Sequence, residues 1–247
     1  MDQHGADAVR WYMLAAGSPW SARRVGHDAI SDVVRKTLLT YWNTVSFLAL
    51  YARASHFTLP ASPSPIGNRP MMDRWIISEL HQVIENVDSA LENFDSQSAG
   101  KHLATFIDDL SNWYVRRSRR RFWDGDVMAL ETLYECLEKL TLLMSPLVPF
   151  ITEHVWQELI RPVHQSVVES VHLADFPTVH SELIDRELSS HVALTRRLVE
   201  LGRASRAESQ VKIRQPLSRA LISAPGWTAL DQQLKDQIAD ELNVLVL

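Results

Sequence analysis

The chain is poor in the residues that announce most chemistries. A single cysteine, Cys136, among 247 residues rules out an internal disulfide and any zinc site built on paired thiolates, and it fits a reducing cytosol. Eight glycines favour helices over a turn-rich β fold. No apolar run approaches the ~20 residues that a membrane span needs. Asp2 and Asp7 stand where a secretory signal would carry basic residues, so no signal peptide is expected. A glycine-rich phosphate loop, paired-cysteine metal spacing and a Gly-x-Ser-x-Gly nucleophile elbow are all missing.

Metal ligands are equally scarce. His154, His164 and His172 lack a second ligand at helical spacing, and structural or exposed histidine is the expectation for them. Asp108 and Asp109 are adjacent, so on a helix they point about 100° apart and cannot chelate together. Basic charge is in short supply too. The net charge of -5 excludes a generally basic nucleic-acid binder, and any positive potential must be gathered into a patch. Only five of the 25 basic residues are lysines, a bias that codon usage produces as readily as function. With 46% apolar and 22% charged residues, the chain is ordinary globular protein, long enough for one large domain or a domain with an appendage.

Against that background one stretch stands out. Ser111 to Trp123 holds five arginines and four aromatics in thirteen residues, with no acid. Leu103, Phe106, Ile107, Leu110 and Tyr114 precede or enter it at helical spacing, which predicts one helix from about Ser98 to Trp123. Projected at about 100° per residue, Arg117 and Arg121 follow the apolar stripe and are expected to pair with carboxylates of a neighbouring helix. Arg116, Arg119 and Arg120 fall on the flank or far side with Asn112 and Asp109. Guanidinium forks match phosphate oxygens and stack on bases, so these three are the candidates for a polyanion.

The rest of the chain reads as helices for most of its length. Met1 to Ala16 is expected to be helical, with Ala6, Val9, Met13 and Ala16 on one stripe and Gly17 as the stop. Ser18 to Ser21 is a turn, and Arg23 and Arg24 follow in a loop. A long helix runs from about Asp28 to Ala54 on Ile30, Val33, Val34, Thr37, Leu38, Tyr41, Val45 and Leu48. Thr58 to Pro70, with four prolines, is a connector across the end of a bundle. Met72, Trp75, Ile76, Leu80, Val83, Ile84, Val87 and Leu91 then mark a regular amphipathic helix. Asp95 or Ser96 can cap the arginine helix. Leu130, Leu133, Tyr134 and Leu137 mark another helix, with Cys136 as a structural residue, and Pro149 opens one on Phe150, Ile151, Val155 and Leu159.

Beyond it the character changes. Ser166 to Pro177 is an extended tail, and a charged helix runs from about Ser181 to Glu208. Val211 to Arg214, Ala220 to Ser223 and Val244 to Leu247 look like strands, with a helix around Leu230 to Leu242. The fold class is mainly α: an antiparallel helix bundle followed by a small α+β junction domain.

Asp108 to Trp123 (Asp-Asp-Leu-Ser-Asn-Trp-Tyr-Val-Arg-Arg-Ser-Arg-Arg-Arg-Phe-Trp) resembles the signature of the anticodon-binding helical domain of isoleucyl-tRNA synthetases, class I aminoacyl-tRNA synthetases. Gly5 to Tyr12, Asp73 to Ile76, Ser170 to Leu173 and Val211 to Leu217 agree with that family in the same order. Valyl- and leucyl-type relatives share the bundle but usually not the arginine-rich helix. The family's Lys-Met-Ser-Lys-Ser loop and His-Ile-Gly-His motif are absent, so the chain looks like a piece of a larger enzyme.

The resemblance implies three parts: a connector following the catalytic domain (1–25), the anticodon-binding bundle (26–178), and a long helix with the junction domain (179–247). It implies tRNA(Ile) as partner, with Arg116, Arg119, Arg120, Asn112, Trp113 and Trp123 as tRNA-binding residues and Arg117 and Arg121 in structural ion pairs. Which aromatics read anticodon bases is left open. The remainder of the synthetase would act in cis, and ATP and isoleucine would bind there, so this chain is expected to be inactive alone and to hold no cofactor or metal. A cytoplasmic monomer without membrane contact is the expectation. The rivals are a helical scaffold or protein-interaction domain whose arginines all serve interhelical ion pairs, and the equivalent domain of a valyl- or leucyl-type enzyme.

Overall fold

In the computed structural model, residues 4–18, 20–22, 25–163 and 167–247 are described. Arg23, Arg24, His164 and Pro19 of the expected turn lie outside them. The chain divides into two compact units, Met1–Ile184 and Asp185–Leu247.

The first unit is built on helices. Its centre is α7 (Val127–Met144), where Ala129, Leu130, Leu133, Cys136, Leu137 and Leu140 are buried. Against it lies α4 (Met71–Glu92), whose predicted stripe is buried from Trp75 to Val87, with Met72 and Leu91 half-buried at its ends. The helix predicted from Asp28 to Ala54 is α2 (His27–Val33) and α3 (Leu39–Ala54), joined by a π-helical turn at Val34–Leu38. Its core-facing residues include Ile30, Leu38, Tyr41, Val45 and Leu48, and the buried Tyr41 hydroxyl meets Thr141 Oγ1 at 2.7 Å.

Helix α1 (Ala6–Leu14) turns a different face inward from the one predicted. Asp7, Ala8, Trp11, Tyr12 and Ala15 are buried, whereas Met13 and Ala16 are exposed. Two large aromatics bury more apolar area than a methionine, a valine and two alanines, and they decide the phase. A polar reason acts in the same direction. The carboxylate of Asp7 accepts the N–H groups of Phe150 (3.3 Å) and Ile151 (2.6 Å), at the start of α8 (Pro149–Val155). Those are donors that a helix cannot satisfy internally, and a carboxylate there also complements the helix dipole. One turn on, Arg10 donates to the carbonyls of Leu147 (3.1 Å) and Pro146 (2.9 Å). Because α8 is seated this way, Phe150 is exposed rather than part of the expected apolar stripe.

The proline-rich connector is pinned by a buried charge. Arg69 reaches Glu131 (3.3 Å) and Glu135 (2.8 Å), and Glu131 also accepts from the backbone and hydroxyl of Ser64 at 2.6 and 2.7 Å. A buried ion is tolerated only when so paired. Downstream of α8 and a further π-helical turn (Trp156–Ile160), the tail is irregular, with a 3-10 turn at Val171–Leu173. Glu153 holds it by accepting from Ser170 Oγ (2.9 Å) and Val171 N (3.0 Å).

In the second unit, Asp185 caps α9 (Arg186–Glu208) by accepting from Leu188 N at 2.9 Å. Strands β1 (Leu217–Arg219) and β2 (Val244–Val246) pair in parallel, Leu217 with Val244 and Arg219 with Val246. A parallel pair needs a crossover, which α10 (Gln232–Leu242) supplies. Two strand expectations are corrected. Val211 to Arg214 is a loop, because the Arg206 guanidinium donates to the carbonyls of Lys212 (2.8 Å), Ile213 (3.3 Å) and Gln215 and so removes them from any ladder. The second strand precedes Ala220 to Ser223 instead of coinciding with it.

Among the described residues, no helix is long and apolar enough to cross a membrane, and no three His, Cys, Asp or Glu residues are grouped to hold a metal ion.

Candidate nucleic-acid interface

The arginine segment begins as α5 (Ser96–Asp108), capped by the Asp95 carboxylate on Ser98 N at 2.9 Å. Ala99, Leu103, Phe106 and Ile107 face the core. At Gly100 the helix touches α1 so closely that a methyl group there would lie 2.2 Å from Ala15 Cβ.

From Asp109 to Val115 the helix is π-helical. A π turn takes in an extra residue, so the inward face advances relative to an α-helical projection. Asp109, Leu110, Trp113, Tyr114 and Val115 are all buried as a result, and Asp109, placed on the far side by the projection, faces inward. Ser118 (φ -91°, ψ 6°) then interrupts the helix before α6 (Arg119–Trp123) resumes it.

The arginines divide between core and solvent along the line of the α-helical projection. Arg121 turns toward α4, where its two terminal nitrogens meet both oxygens of Asp73 at 2.5 and 2.8 Å and its Nε meets Asp126 at 2.8 Å. Asp73 is fully buried, and it also accepts from the Tyr114 hydroxyl at 3.0 Å. Burial works against the Arg121 charge, but the two carboxylates outweigh it and hold the guanidinium protonated. Burial, reinforced by Asp73, pushes the Tyr114 phenol well above its ordinary value. Arg117 is half-buried.

Arg116, Arg119 and Arg120 are exposed. The Arg116 guanidinium lies 5.8 Å from the centre of the Trp113 ring, and its Nε donates to Asn112 O at 3.0 Å. Arg120 keeps 94% of its side chain in solvent, with Asp124 at 3.8 Å, and Arg119 has no acidic partner among the described residues. Asn112 is exposed, its amide on Asp108 at 2.6 Å. Trp123 is 77% exposed. Trp113, also expected at the tRNA surface, is 6% exposed, with the Arg116 guanidinium over its ring. It serves instead as a platform for that guanidinium.

Two features escaped the sequence reading. The π turn has no compositional marker, and Arg69, lodged among prolines, carries no helical period that would show it facing the core.

The model of the "Anticodon-binding domain of tRNA ligase" family matches residues 73–221, from the partner of Arg121 through the arginine helix into the second unit. The chain belongs to that family. Among its curated relatives is the isoleucine–tRNA ligase of Streptomyces avermitilis, 62% identical over all of this chain and 24% of that protein. The ligases of Thermobifida fusca (59% identical, the same coverage) and Deinococcus radiodurans (41%, over 98% of this chain and 22% of that protein) are also similar. This anticodon-binding domain thus spans about a quarter of the length of the ligases it matches. A solved structure, the ternary complex of Agrobacterium radiobacter K84 agnB2 LeuRS with tRNA and LeuAMS, superposes with a TM-score of 0.53. It shares 19% identity over 74% of this chain and 20% of that one. At that identity the likeness concerns the fold alone.

Proposed function

We propose that the exposed face of the arginine helix binds the anticodon arm of tRNA(Ile), positioning it for aminoacylation by other parts of an isoleucine–tRNA ligase acting in cis. The observation that carries this reading is the sorting of one arginine run. Arg121 is committed to Asp73 and Asp126, while Arg116, Arg119 and Arg120 remain in solvent on a chain of net charge -5. Guanidinium groups neutralise backbone phosphates, which supplies affinity and register without sequence information. Sequence is read from unstacked loop bases, by stacking and edge hydrogen bonds, and Trp123 is the exposed aromatic beside the cations.

A scaffold in which all five arginines serve interhelical ion pairs is disfavoured by the exposure of Arg119 and Arg120. Close identity to isoleucine–tRNA ligases favours isoleucine over the valyl- or leucyl-type equivalents. Isoleucine activation and ATP binding belong, on this reading, to the larger enzyme, which works as a cytoplasmic monomer, and this portion needs no cofactor of its own. Titration at low salt with tRNA(Ile) and with tRNA(Ile) carrying an altered anticodon tests it. The unaltered tRNA should bind tighter. Equal affinities would reduce the interaction to non-specific contact with the stem, and absence of binding would overturn the reading.

A further inference from the structure

The second unit holds a cation that its own residues leave uncompensated. Arg206, in the last turn of α9, is 6% exposed. Its Nη2 donates to the carbonyls of Lys212 (2.8 Å), Ile213 (3.3 Å) and Gln215, which fixes the loop that follows the helix. Its Nε and Nη1 are buried with no hydrogen-bond partner. Among the described residues no carboxylate pairs with it, and Glu241, the buried acid of α10, is taken by Arg203. Buried charges are ordinarily paired, and a buried donor without a partner marks a place where one is missing.

Arg206 lines a cleft of about 430 Å³ bordered by α9 and the two strands. That volume is in the range of small-ligand sites. Leu198, Leu217, Ile222, Leu242 and Val244 make its walls aliphatic, and no aspartate or glutamate contributes to them. Leu221, 84% exposed, also borders the cleft and stands in solvent. Arg219 is the second cation of the lining, exposed and without an acidic partner among the described residues. Two guanidinium groups in an aliphatic wall favour a ligand that joins a hydrocarbon chain to a negative charge.

We propose that this cleft binds a small aliphatic carboxylate, its chain among the leucines and its charge on the side of Arg206 that the loop carbonyls leave open. A free amino acid fits poorly, because its ammonium group would face two cations and no acid. The ligand is therefore an acid without an α-ammonium. A short branched-chain acid and the aliphatic C-terminus of a peptide share that chemistry. Neither the arginine helix nor RNA enters into the site.

The full chain, labelled with nitrogen-15, is titrated with 4-methylpentanoate while the Arg206 Nε–H resonance is followed, identified by its loss in Arg206→Lys. The resonance should shift saturably, with a Kd of about 1 mM or below. The amide, 4-methylpentanamide, has the same shape without the charge and should bind at least about tenfold weaker. Leucine, the same skeleton with an ammonium group, should bind weaker than the acid as well. Because Arg206→Gln also frees the loop, Leu221→Asp supplies the second variant: it sets a carboxylate beside the cations from an exposed position. It should weaken binding about tenfold and leave circular dichroism unchanged. A peptide ending in leucine, with a free or an amidated C-terminus, separates the two sources. Tighter binding of the free peptide than of 4-methylpentanoate assigns the cleft to chain termini, and the reverse order assigns it to free acids. No saturable shift with either acid, equal affinity for acid and amide, or full affinity in Leu221→Asp would overturn the proposal.

Discussion

Arg121 closes on Asp73 across 48 residues of chain, with both terminal nitrogens on both carboxylate oxygens of a fully buried aspartate. The pair ties the arginine segment to α4 and withdraws one cation from a run of five. Removing the guanidinium strands a buried carboxylate that, among the described residues, keeps the Tyr114 hydroxyl as its side-chain donor. Arg121→Ala should therefore lower stability by on the order of 3 kcal/mol. Arg119→Ala, at an exposed position, should change it by less than about 0.5 kcal/mol. Urea unfolding of the two variants side by side checks this, and equal midpoints would refute the sorting of the run.

A second prediction concerns the contact between α1 and α5. A methyl group on Gly100 would lie 2.2 Å from Ala15 Cβ and 2.9 Å from Ala15 Cα, too close without movement of a helix backbone. Gly100→Ala should cost roughly 1–3 kcal/mol through overpacking. Adding Ala15→Gly should recover part of that loss in thermal melts. A Gly100→Ala protein as stable as wild type would mean that the two helices are not so closely seated.

Much of this was legible in the sequence. The α4 stripe is regular because one face is buried along its length, and the arginine helix begins where the apolar spacing places it. The projection failed at Asp109, which a π turn brings inward without any change of composition, yet Arg121 still faces α4 as projected. Short strands failed differently. Val211 to Arg214 has strand-like residues, but its carbonyls are claimed by Arg206, a tertiary contact that local pattern does not encode. The buried face of α1 depended on Asp7 meeting a helix start more than 140 residues away.

The pH dependence of stability should carry a histidine component. His81 is buried, and its Nδ1 accepts the backbone N–H of His180 at 3.2 Å. Burial first, and then the nearby His180, push its pKa from 6.5 down to about 4; Lys139 acts the same way and Glu182 opposes. The folded state thus binds fewer protons than the unfolded state between these values. The stability involved is fully present above pH 6.5 and is lost as pH falls toward 4. Urea midpoints at pH 7 and pH 5 should differ in that direction, and His81→Gln should flatten the difference. A midpoint independent of pH across this window would contradict it.

Adenylate chemistry gives a further check. With neither the Lys-Met-Ser-Lys-Ser loop nor the His-Ile-Gly-His motif in its sequence, this chain alone should show no isoleucine-dependent ATP–pyrophosphate exchange. Exchange in a preparation free of host synthetase would contradict that division of labour.

The central claim is that Arg116, Arg119 and Arg120 form the phosphate-binding face, and its most direct test is the salt dependence of tRNA affinity. Each phosphate contact releases condensed counterion, so log affinity should fall with log salt by roughly 0.7–0.9 per contact. Changing all three arginines to glutamine keeps hydrogen-bonding capacity and removes the charge, and exposure of all three should leave the helical circular dichroism as it was. Titration of tRNA(Ile) across a low-salt series should then show the slope reduced by about two to three units. An unchanged slope in the triple variant would contradict the account and move the RNA-binding surface elsewhere.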